Sequence, residues 1–105
     1  MIEDKRLYST VGKLIRRARE TVSLSQEELS SQLGLTRTSV SNFERGKQHI
    51  QLHTLYQIAD ILNVPVSDLL PTVELIKVKS EVPTQEQREI IERFLGEEEI
   101  GEIGK

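Results

Sequence analysis

Residues 24–47 of the chain read LSQEELSSQLGLTRTSVSNFERGK. Within them, Ser25 followed by Glu28 has the spacing of a capping box, in which each side chain accepts the other residue's backbone N–H at the first turn of a helix. Gly34 is placed to end this helix as a C-cap glycine. A second short helix, with a threonine as its N-cap, is predicted over residues 36–45. The stretch therefore predicts two short helices joined by a tight turn.

The sequence on both sides of this stretch has the periodicity of further helices. Apolar residues recur at every third or fourth position over residues 4–22 and again over residues 52–62. Gly12 lies inside the first of these helices, where it is expected to let a neighbouring helix pack closely. Ser67 is expected to cap one further helical turn. We therefore predict an all-α domain of five helices over residues 1–71.

The remaining residues, 72–105, are predicted to form a C-terminal extension. Residues 73–78 are rich in β-branched side chains, which predicts a strand or an extended linker. A further helix is predicted over residues 85–95, with Thr84 and Gln87 as a second capping box. The sequence after this helix is acidic and contains several glycines, which predicts a frayed acidic tail.

The composition restricts the class of protein. Of the 105 residues, 36% are hydrophobic and 30% are charged, which is typical of a soluble globular protein. The chain has no cysteine, so a disulfide framework and a thiolate zinc site are excluded. No apolar run approaches the roughly 18 residues of a membrane span, and the charged N-terminus lacks the apolar region of a signal peptide. We therefore expect a cytoplasmic protein that does not associate with a membrane.

The net charge of −3 is unevenly distributed along the chain. Residues 1–70 carry 9 basic and 8 acidic side chains, whereas residues 71–105 carry 5 basic and 9 acidic ones. The acidic excess therefore lies in the C-terminal extension. Because the local charge of a binding face matters more than the total charge, DNA is not excluded as a partner. Its affinity for non-specific DNA is expected to be modest, since the body of the chain is not strongly basic.

The second of the two short helices carries the side chains of a helix that contacts DNA. Its apolar residues, Val40 and Phe43, are expected to face the core. Its outward side chains are of the types that hydrogen-bond to base edges and phosphates. They are Arg37, Thr38, Ser41, Asn42 and Arg45. Two short helices joined by a glycine turn form a helix-turn-helix, whose second helix enters the major groove.

The chain resembles the lambda repressor and Cro-like helix-turn-helix family, also called the XRE family. The resemblance covers about residues 8–70. It rests on LSQEEL at 24–29, on Leu33 with Gly34, on Val40 with Phe43, and on ERGK at 44–47. It implies that the five predicted helices form a lambda-repressor-like DNA-binding domain. The chain departs from the family pattern at Ile50 and Gln51, where the family often has a proline and a small capping residue.

The resemblance also implies roles for individual side chains. It implies that Gln26 contacts a DNA phosphate and that Arg37 and Thr38 read bases. It further implies an ion pair between Arg19 and Glu44. The resemblance and the hydrogen-bonding residue types on the second short helix together predict the base contacts, which are Arg37, Thr38, Ser41 and Asn42. The expected phosphate contacts are Gln26, Ser39, Arg45, Lys47 and Gln48. The simpler alternative is that these polar side chains are ordinary solvated surface residues.

Catalytic and metal sites receive little support from the sequence. Glu44 is a candidate catalytic carboxylate, but the ion pair with Arg19 is the favoured interpretation. His49 and His53 are four residues apart, yet no third ligand accompanies them, so we expect no metal. Paired carboxylates, a nucleophile triad and a phosphate-cradling loop are all missing from the sequence. We therefore expect neither a cofactor nor an enzymatic activity.

The predicted helix over residues 85–95 carries an apolar stripe. Its members are Ile90, Ile91, Phe94 and Leu95. The stripe could complete the core of the same domain, form a homodimer interface, or bind another protein. The dimer interface is the preferred interpretation, because apolar patches left exposed on a monomer usually mark an interface.

These observations predict a sequence-specific DNA-binding regulator. The main hypothesis is a homodimeric repressor that reads a palindromic operator in double-stranded DNA through the helix over residues 36–45. The alternative is an antitoxin or phage-defence regulator that binds DNA and also a protein partner through its C-terminal segment. A third interpretation, a protein-interaction adaptor that no longer binds DNA, is disfavoured by the polar, arginine-containing second helix.

Overall fold

The computed structural model describes residues 1–77 and 85–96, with side chains at 88–94 in the second range. These residues form the all-α fold that the sequence predicts. The elements are α1 (Asp4–Thr21), α2 (Gln26–Leu33), α3 (Arg37–Glu44), α4 (Leu52–Leu62), a 3-10 turn (Val66–Leu69), α5 (Val73–Ile76) and α6 (Gln85–Gly96). Over the described residues, β-type pairing is confined to one isolated antiparallel bridge between Ile2 and Lys77.

Local hydrogen bonds define the starts of α2 and α3. The hydroxyl of Ser25 accepts the backbone N–H of Glu28 at 3.0 Å, and the carboxylate of Glu28 accepts the N–H of Ser25 at 2.8 Å. The predicted capping box is therefore confirmed, and the hydrogen bond that the backbone N–H of Ser25 donates to the carboxylate lowers the pKa of Glu28. Thr36 caps α3 by accepting the backbone N–H of Ser39 at 3.1 Å. The turn between the two helices contains Gly34 in the left-handed conformation, as the C-cap of α2.

The prediction that Ser67 caps a helical turn is wrong. Ser67 lies inside the 3-10 turn, and Pro65 occupies the cap position with an extended backbone. Proline suits this place because its ring holds φ near the observed −66° and it needs no N–H partner there. The turn ends at Leu69, which is fully buried in the core and anchors it.

The prediction of a strand or linker over residues 73–78 is also wrong for the part that the structure describes. Residues 73–76 form one helical turn, α5, and Ile76 is buried. The N–H of Glu3 donates to the carbonyl of Ile76 at 3.1 Å, and Arg6 donates to the carbonyl of Lys77 at 2.8 Å. Packing against α1 thus outweighs the β propensity of these residues. The predicted capping box of Thr84 and Gln87 lies outside the described side chains.

The core lies between α1, α2, α3, α4 and the 3-10 turn. Its buried residues are Val11, Ile15, Leu29, Val40, Leu55, Ile58, Ala59, Leu62 and Leu69. Phe43 is also buried, so the inward face of α3 is the predicted pair of Val40 and Phe43. The polar side of the same helix is therefore turned to the surface.

Gly12 brings α1 into backbone contact with the end of α3. A Cβ atom at this position would lie 2.4 Å from the carbonyl oxygen of Phe43 and 2.5 Å from that of Glu44. Only a residue without a side chain allows this approach. The position of α3 relative to α1 therefore depends on the glycine that the sequence places inside the first helix.

Candidate nucleic-acid interface

α3 presents two rows of polar side chains at the surface. Arg37 and Thr38 in its first turn are exposed, and Ser41 and Asn42 one turn later are half-buried. Residues four apart lie on the same side of a helix, one above the other. The first row is Arg37, Ser41 and Arg45, and the second is Thr38 and Asn42. All four predicted base-contacting residues therefore lie on adjacent rows of one helix.

The first row lines a polar cleft of about 510 Å³ between α1, the start of α2 and α3. We call it the arginine cleft. Its lining residues are Arg16, Arg19, Ser25, Gln26, Glu27, Arg37, Ser41, Glu44 and Arg45. Arginine side chains thus come to one site from α1, from the first turn of α3 and from the C-cap of α3. Such a cleft suits an anion with several oxygen acceptors.

Arg16 is a residue of this cleft that sequence reasoning missed as a site residue. Its side chain is exposed and pairs with Glu20 at 3.1 Å on the same helix. A signal was available in the sequence, because Arg16 lies three residues before Arg19. That spacing is about one helical turn and places Arg16 beside the predicted ion pair of Arg19 and Glu44.

The ion pair between Arg19 and Glu44 is present and buried. Nε of Arg19 lies 2.6 Å from one carboxylate oxygen of Glu44, and Nη2 lies 3.0 Å from the other. The side chains are 10% and 2% exposed, respectively. Hydrogen bonding to Glu44 raises the pKa of Arg19, although burial acts in the opposite direction. Nη1 of Arg19 also donates to the carbonyl of Leu24 at 2.7 Å, which fixes the turn that leads into α2.

Gln26 joins this buried network. Its side-chain amide donates to Glu44 at 3.0 Å, through the same carboxylate oxygen that accepts from Nη2 of Arg19. The half-buried Gln26 side chain is therefore held by the protein itself, with one amide hydrogen still free to donate. The network links α1, the start of α2 and the end of α3, and so fixes the walls of the arginine cleft relative to one another.

A family comparison agrees with this geometry. The helix-turn-helix family model matches residues 15–69, more than half of the chain. The chain belongs to this family. α2 and α3 are its helix-turn-helix unit, and the matched region includes the buried ion pair and every lining residue of the arginine cleft.

Relatives of this helix-turn-helix chain carry names that refer to regulation. It is 38% identical over 88 residues to an HTH-type transcriptional regulatory protein of Thermococcus kodakarensis, covering 79% of this chain and 27% of that protein. It is 31% identical over 86 residues to the immunity repressor protein of Bacillus phage phi105, covering 81% of this chain and 60% of the repressor. The chain spans between about a quarter and about a half of the length of the first curated relatives that it matches.

A solved structure shows the same fold. The restriction-modification controller protein C.AhdI of Aeromonas hydrophila superposes with a TM-score of 0.58 and 30% sequence identity. The match covers 60% of this chain and 96% of the controller protein. The helix-turn-helix region of this chain therefore corresponds to nearly the whole of that smaller structure.

The remaining predicted phosphate contacts lie at the two ends of α3. Ser39 is half-buried, and its backbone N–H and hydroxyl both bind the Thr36 hydroxyl in the cap of the helix. Lys47 and Gln48 are exposed in the loop that follows α3. The N–H of Lys47 donates to the carbonyl of Asn42 at 2.9 Å. The backbone of this loop is therefore held at its start, while the side chains remain accessible.

The two histidines lie in different elements of this helix-turn-helix chain, His49 in the loop after α3 and His53 on α4. The ring of His49 stacks on that of Tyr8, whereas His53 is exposed on α4. Among the residues that the structure describes, no group of three or more His, Cys, Asp or Glu side chains is placed to hold a metal ion. Within the same residues, each helix is too short or too polar to cross a membrane.

Proposed function

We propose that this chain is a sequence-specific DNA-binding transcriptional regulator that acts as a homodimeric repressor. The observation that carries the proposal is the polar face of α3 beside the arginine cleft, held in place by a buried network. A fixed constellation of hydrogen-bonding side chains on one helix is what reading base edges in the major groove requires. The phage immunity repressor, to which the chain is similar, supports repression as the regulatory outcome.

The side chains of α3 divide between bases and backbone. Arg37 can donate two hydrogen bonds to a guanine, and Asn42 can both donate to and accept from an adenine. Thr38 and Ser41 lie beside them and complete the base-contacting set. The phosphate-contacting set is Gln26, Ser39, Arg45, Lys47 and Gln48. Arg16 joins this set because it lines the same cleft as Arg45.

The local charge of this surface is favourable for DNA although the whole chain is acidic. Arg16, Arg37 and Arg45 all line the arginine cleft. Its most buried acid, Glu44, is neutralised by Arg19 at hydrogen-bonding distance. Both carboxylate oxygens of Glu44 already accept hydrogen bonds from the protein, which supports a structural role for this residue. Phosphate contacts made by this surface would supply affinity that falls with salt.

Selection of bound sequences from random double-stranded DNA tests this function. We expect one selected half-site, repeated in inverted orientation with its centres about 34 Å apart, because a twofold dimer places two α3 helices in successive major grooves. Arg37→Ala and Asn42→Ala should each weaken binding to the selected site by about 1–3 kcal/mol and relax the preference at one base position. Lys47→Ala is the matched control, since the loss of a phosphate contact should weaken binding to selected and scrambled DNA alike. Unchanged affinity in both α3 variants would show that another surface reads the DNA.

A surface for the proposed dimer lies beside α6. Ile90 and Ile91 are half-buried, whereas Phe94 is 41% exposed; the side chain of Leu95 lies outside the described set. Phe94 lines a cleft of about 450 Å³ with exposed Val22 and Leu70, between α1 and the 3-10 turn. In a twofold dimer the same surface of each chain packs against its copy in the partner, so this one apolar patch would be buried on both chains.

Sedimentation of point variants tests this dimer surface. Phe94→Glu should give a folded monomer that binds the inverted repeat at least about 100-fold more weakly, because the two half-sites are no longer linked. Leu52→Glu changes another exposed large apolar residue, 68% exposed on α4, and should leave the dimer intact. Dissociation by Leu52→Glu alone would move the interface to α4. A wild-type chain that sediments as a monomer would reject the homodimer and favour a different protein partner for the C-terminal segment.

A further inference from the structure

A second cleft, of about 560 Å³, lies between the first two turns of α1 and the loop that follows α3. Its polar lining includes Lys5, Tyr8, Ser9, Arg45, Lys47 and His49. Arg45 lines this cleft as well as the arginine cleft, so the two share one side chain. We call the second one the α1 cleft.

The walls of the α1 cleft are held in place by two contacts. The rings of Tyr8 and His49 are stacked, with centroids 4.0 Å apart and planes inclined by 15°. Gly46 approaches α1 so closely that a Cβ atom there would lie 2.7 Å from Cα of Ser9. Gly46 also has a positive φ of 71°, which glycine adopts without strain. The loop that carries Lys47 and His49 is therefore packed onto α1, and its side chains are positioned by the fold.

The charge of this cleft favours an anion. Lys5, Arg45 and Lys47 contribute three cationic side chains, and Asp4 is the one carboxylate among the residues that line it. The phenol of Tyr8 and the imidazole of His49 add hydrogen-bond donors without negative charge. Cationic side chains and neutral hydrogen-bond donors, held in position by the fold, are the groups that contact the DNA sugar–phosphate backbone.

The position of the cleft indicates which anion it meets. α3 has 8 residues and is therefore about 12 Å long, close to the roughly 12 Å width of the major groove. Groups just beyond the end of such a helix lie near a backbone strand when the helix occupies the groove. Arg45, Lys47 and His49 follow the end of α3, and the first turns of α1 lie against them.

We propose that Lys5 and Tyr8 of α1, together with His49, form a second phosphate-binding surface that contacts the DNA backbone outside the bases read by α3. This inference rests on the proposed DNA-binding function. It adds the start of α1 to the contact surface, a segment that precedes the family match at residues 15–69. The surface extends the footprint of each chain without adding base specificity.

The test measures DNA affinity of the full chain as a function of salt, on the site obtained by selection. For Lys5→Gln we expect weaker binding to selected and scrambled DNA alike, and a slope of log K against log salt that is smaller by about 0.9. Lys13→Gln is the matched control, because Lys13 is an exposed lysine of the same helix that lines neither cleft. Its slope should equal that of the wild type.

Ethylation of individual DNA phosphates locates the contact. Ethylation of a phosphate outside the selected half-site should block DNA binding by the wild-type protein. DNA binding by Lys5→Gln should not be affected by ethylation at that phosphate. Tyr8→Phe keeps an aromatic ring for the stack with His49 but loses the hydroxyl, and should also weaken binding. Lys5 is exposed and Tyr8 is half-buried on α1, and thermal melts will establish that both variants are folded.

Each outcome decides the proposal. Equal salt slopes for Lys5→Gln and Lys13→Gln, with wild-type DNA binding intact, would overturn the second surface and leave the proposed function standing. Failure of the wild type to bind any DNA would overturn the proposed function itself. Inorganic phosphate or adenosine monophosphate that perturbs the Tyr8 and His49 resonances, with no change in the salt slope of Lys5→Gln, would assign the cleft to a free anion and reject the DNA contact.

Discussion

Gly12→Ala is expected to lower the free energy of unfolding by about 3 kcal/mol. The added methyl group would lie 2.4 Å from the carbonyl oxygen of Phe43 and 2.5 Å from that of Glu44. Both neighbours are backbone atoms at the end of α3, so the overlap can be relieved only by moving one helix away from the other. Alanine gains about 1 kcal/mol over glycine as a helix former, and this gain is too small to compensate.

Denaturant unfolding of Gly12→Ala beside Lys13→Ala checks this expectation. Lys13 is the next residue of α1 and is exposed, so its replacement by alanine should change stability by about 0.5 kcal/mol or less. The folded fraction of Gly12→Ala should also bind operator DNA more weakly, because α3 is displaced relative to the arginine cleft. A Gly12→Ala variant as stable as the wild type would mean that the close contact between α1 and α3 does not exist in solution.

Glu44→Ala is expected to cost about 3–5 kcal/mol, because it leaves the Arg19 cation buried without its partner. Glu44 accepts hydrogen bonds from Nε and Nη2 of Arg19 and from the side-chain amide of Gln26. Its carboxylate therefore satisfies donors from two other helices at once. Since pairing raises the pKa of Arg19, whose ordinary value is already high, raising the pH within the neutral to mildly alkaline range will not discharge the arginine.

A double-mutant cycle separates the pair from the individual side chains. Arg19→Met with Glu44→Leu should recover part of the stability lost in Glu44→Ala, because two apolar side chains leave no unpaired buried charge. Arg16→Met with Glu20→Leu is the matched control, since that pair has the same residue types but is 64% and 55% exposed. Its single and double variants should differ by about 1 kcal/mol or less. Strict additivity of Arg19→Met and Glu44→Leu would show that the buried pair contributes no coupling.

The helix-turn-helix unit was predictable because its signals are local. The capping box of Ser25 and Glu28 and the Thr36 cap join residues three positions apart. Such hydrogen bonds depend on few other parts of the chain, so a short stretch of sequence is enough to place the starts of both helices. The inward pair of Val40 and Phe43 follows from helical periodicity in the same way.

The arginine cleft was only partly predictable. Gln26, Arg37, Ser41 and Arg45 were identified as site residues by residue type and by resemblance. Arg16 was not, because its position one turn before Arg19 is a weak signal and the outward face of α1 meets α3 only through the packing of the two helices. The hydrogen bond from Gln26 to Glu44 was missed for the same reason, since it joins residues 18 positions apart.

The sequence by itself determined where α2 and α3 begin and which of their sides are polar, because neighbouring residues along the chain supply those interactions. Tertiary structure alone decided what surrounds that helix pair. Burial of Ile76 and backbone contacts with Glu3 turned residues 73–76 into a helix despite their β-branched side chains. The approach of Gly46 to Ser9 and the stack of Tyr8 on His49 built the α1 cleft from segments about 40 residues apart. Contacts of this kind depend on how whole helices pack, and no local pattern in the sequence reports that packing.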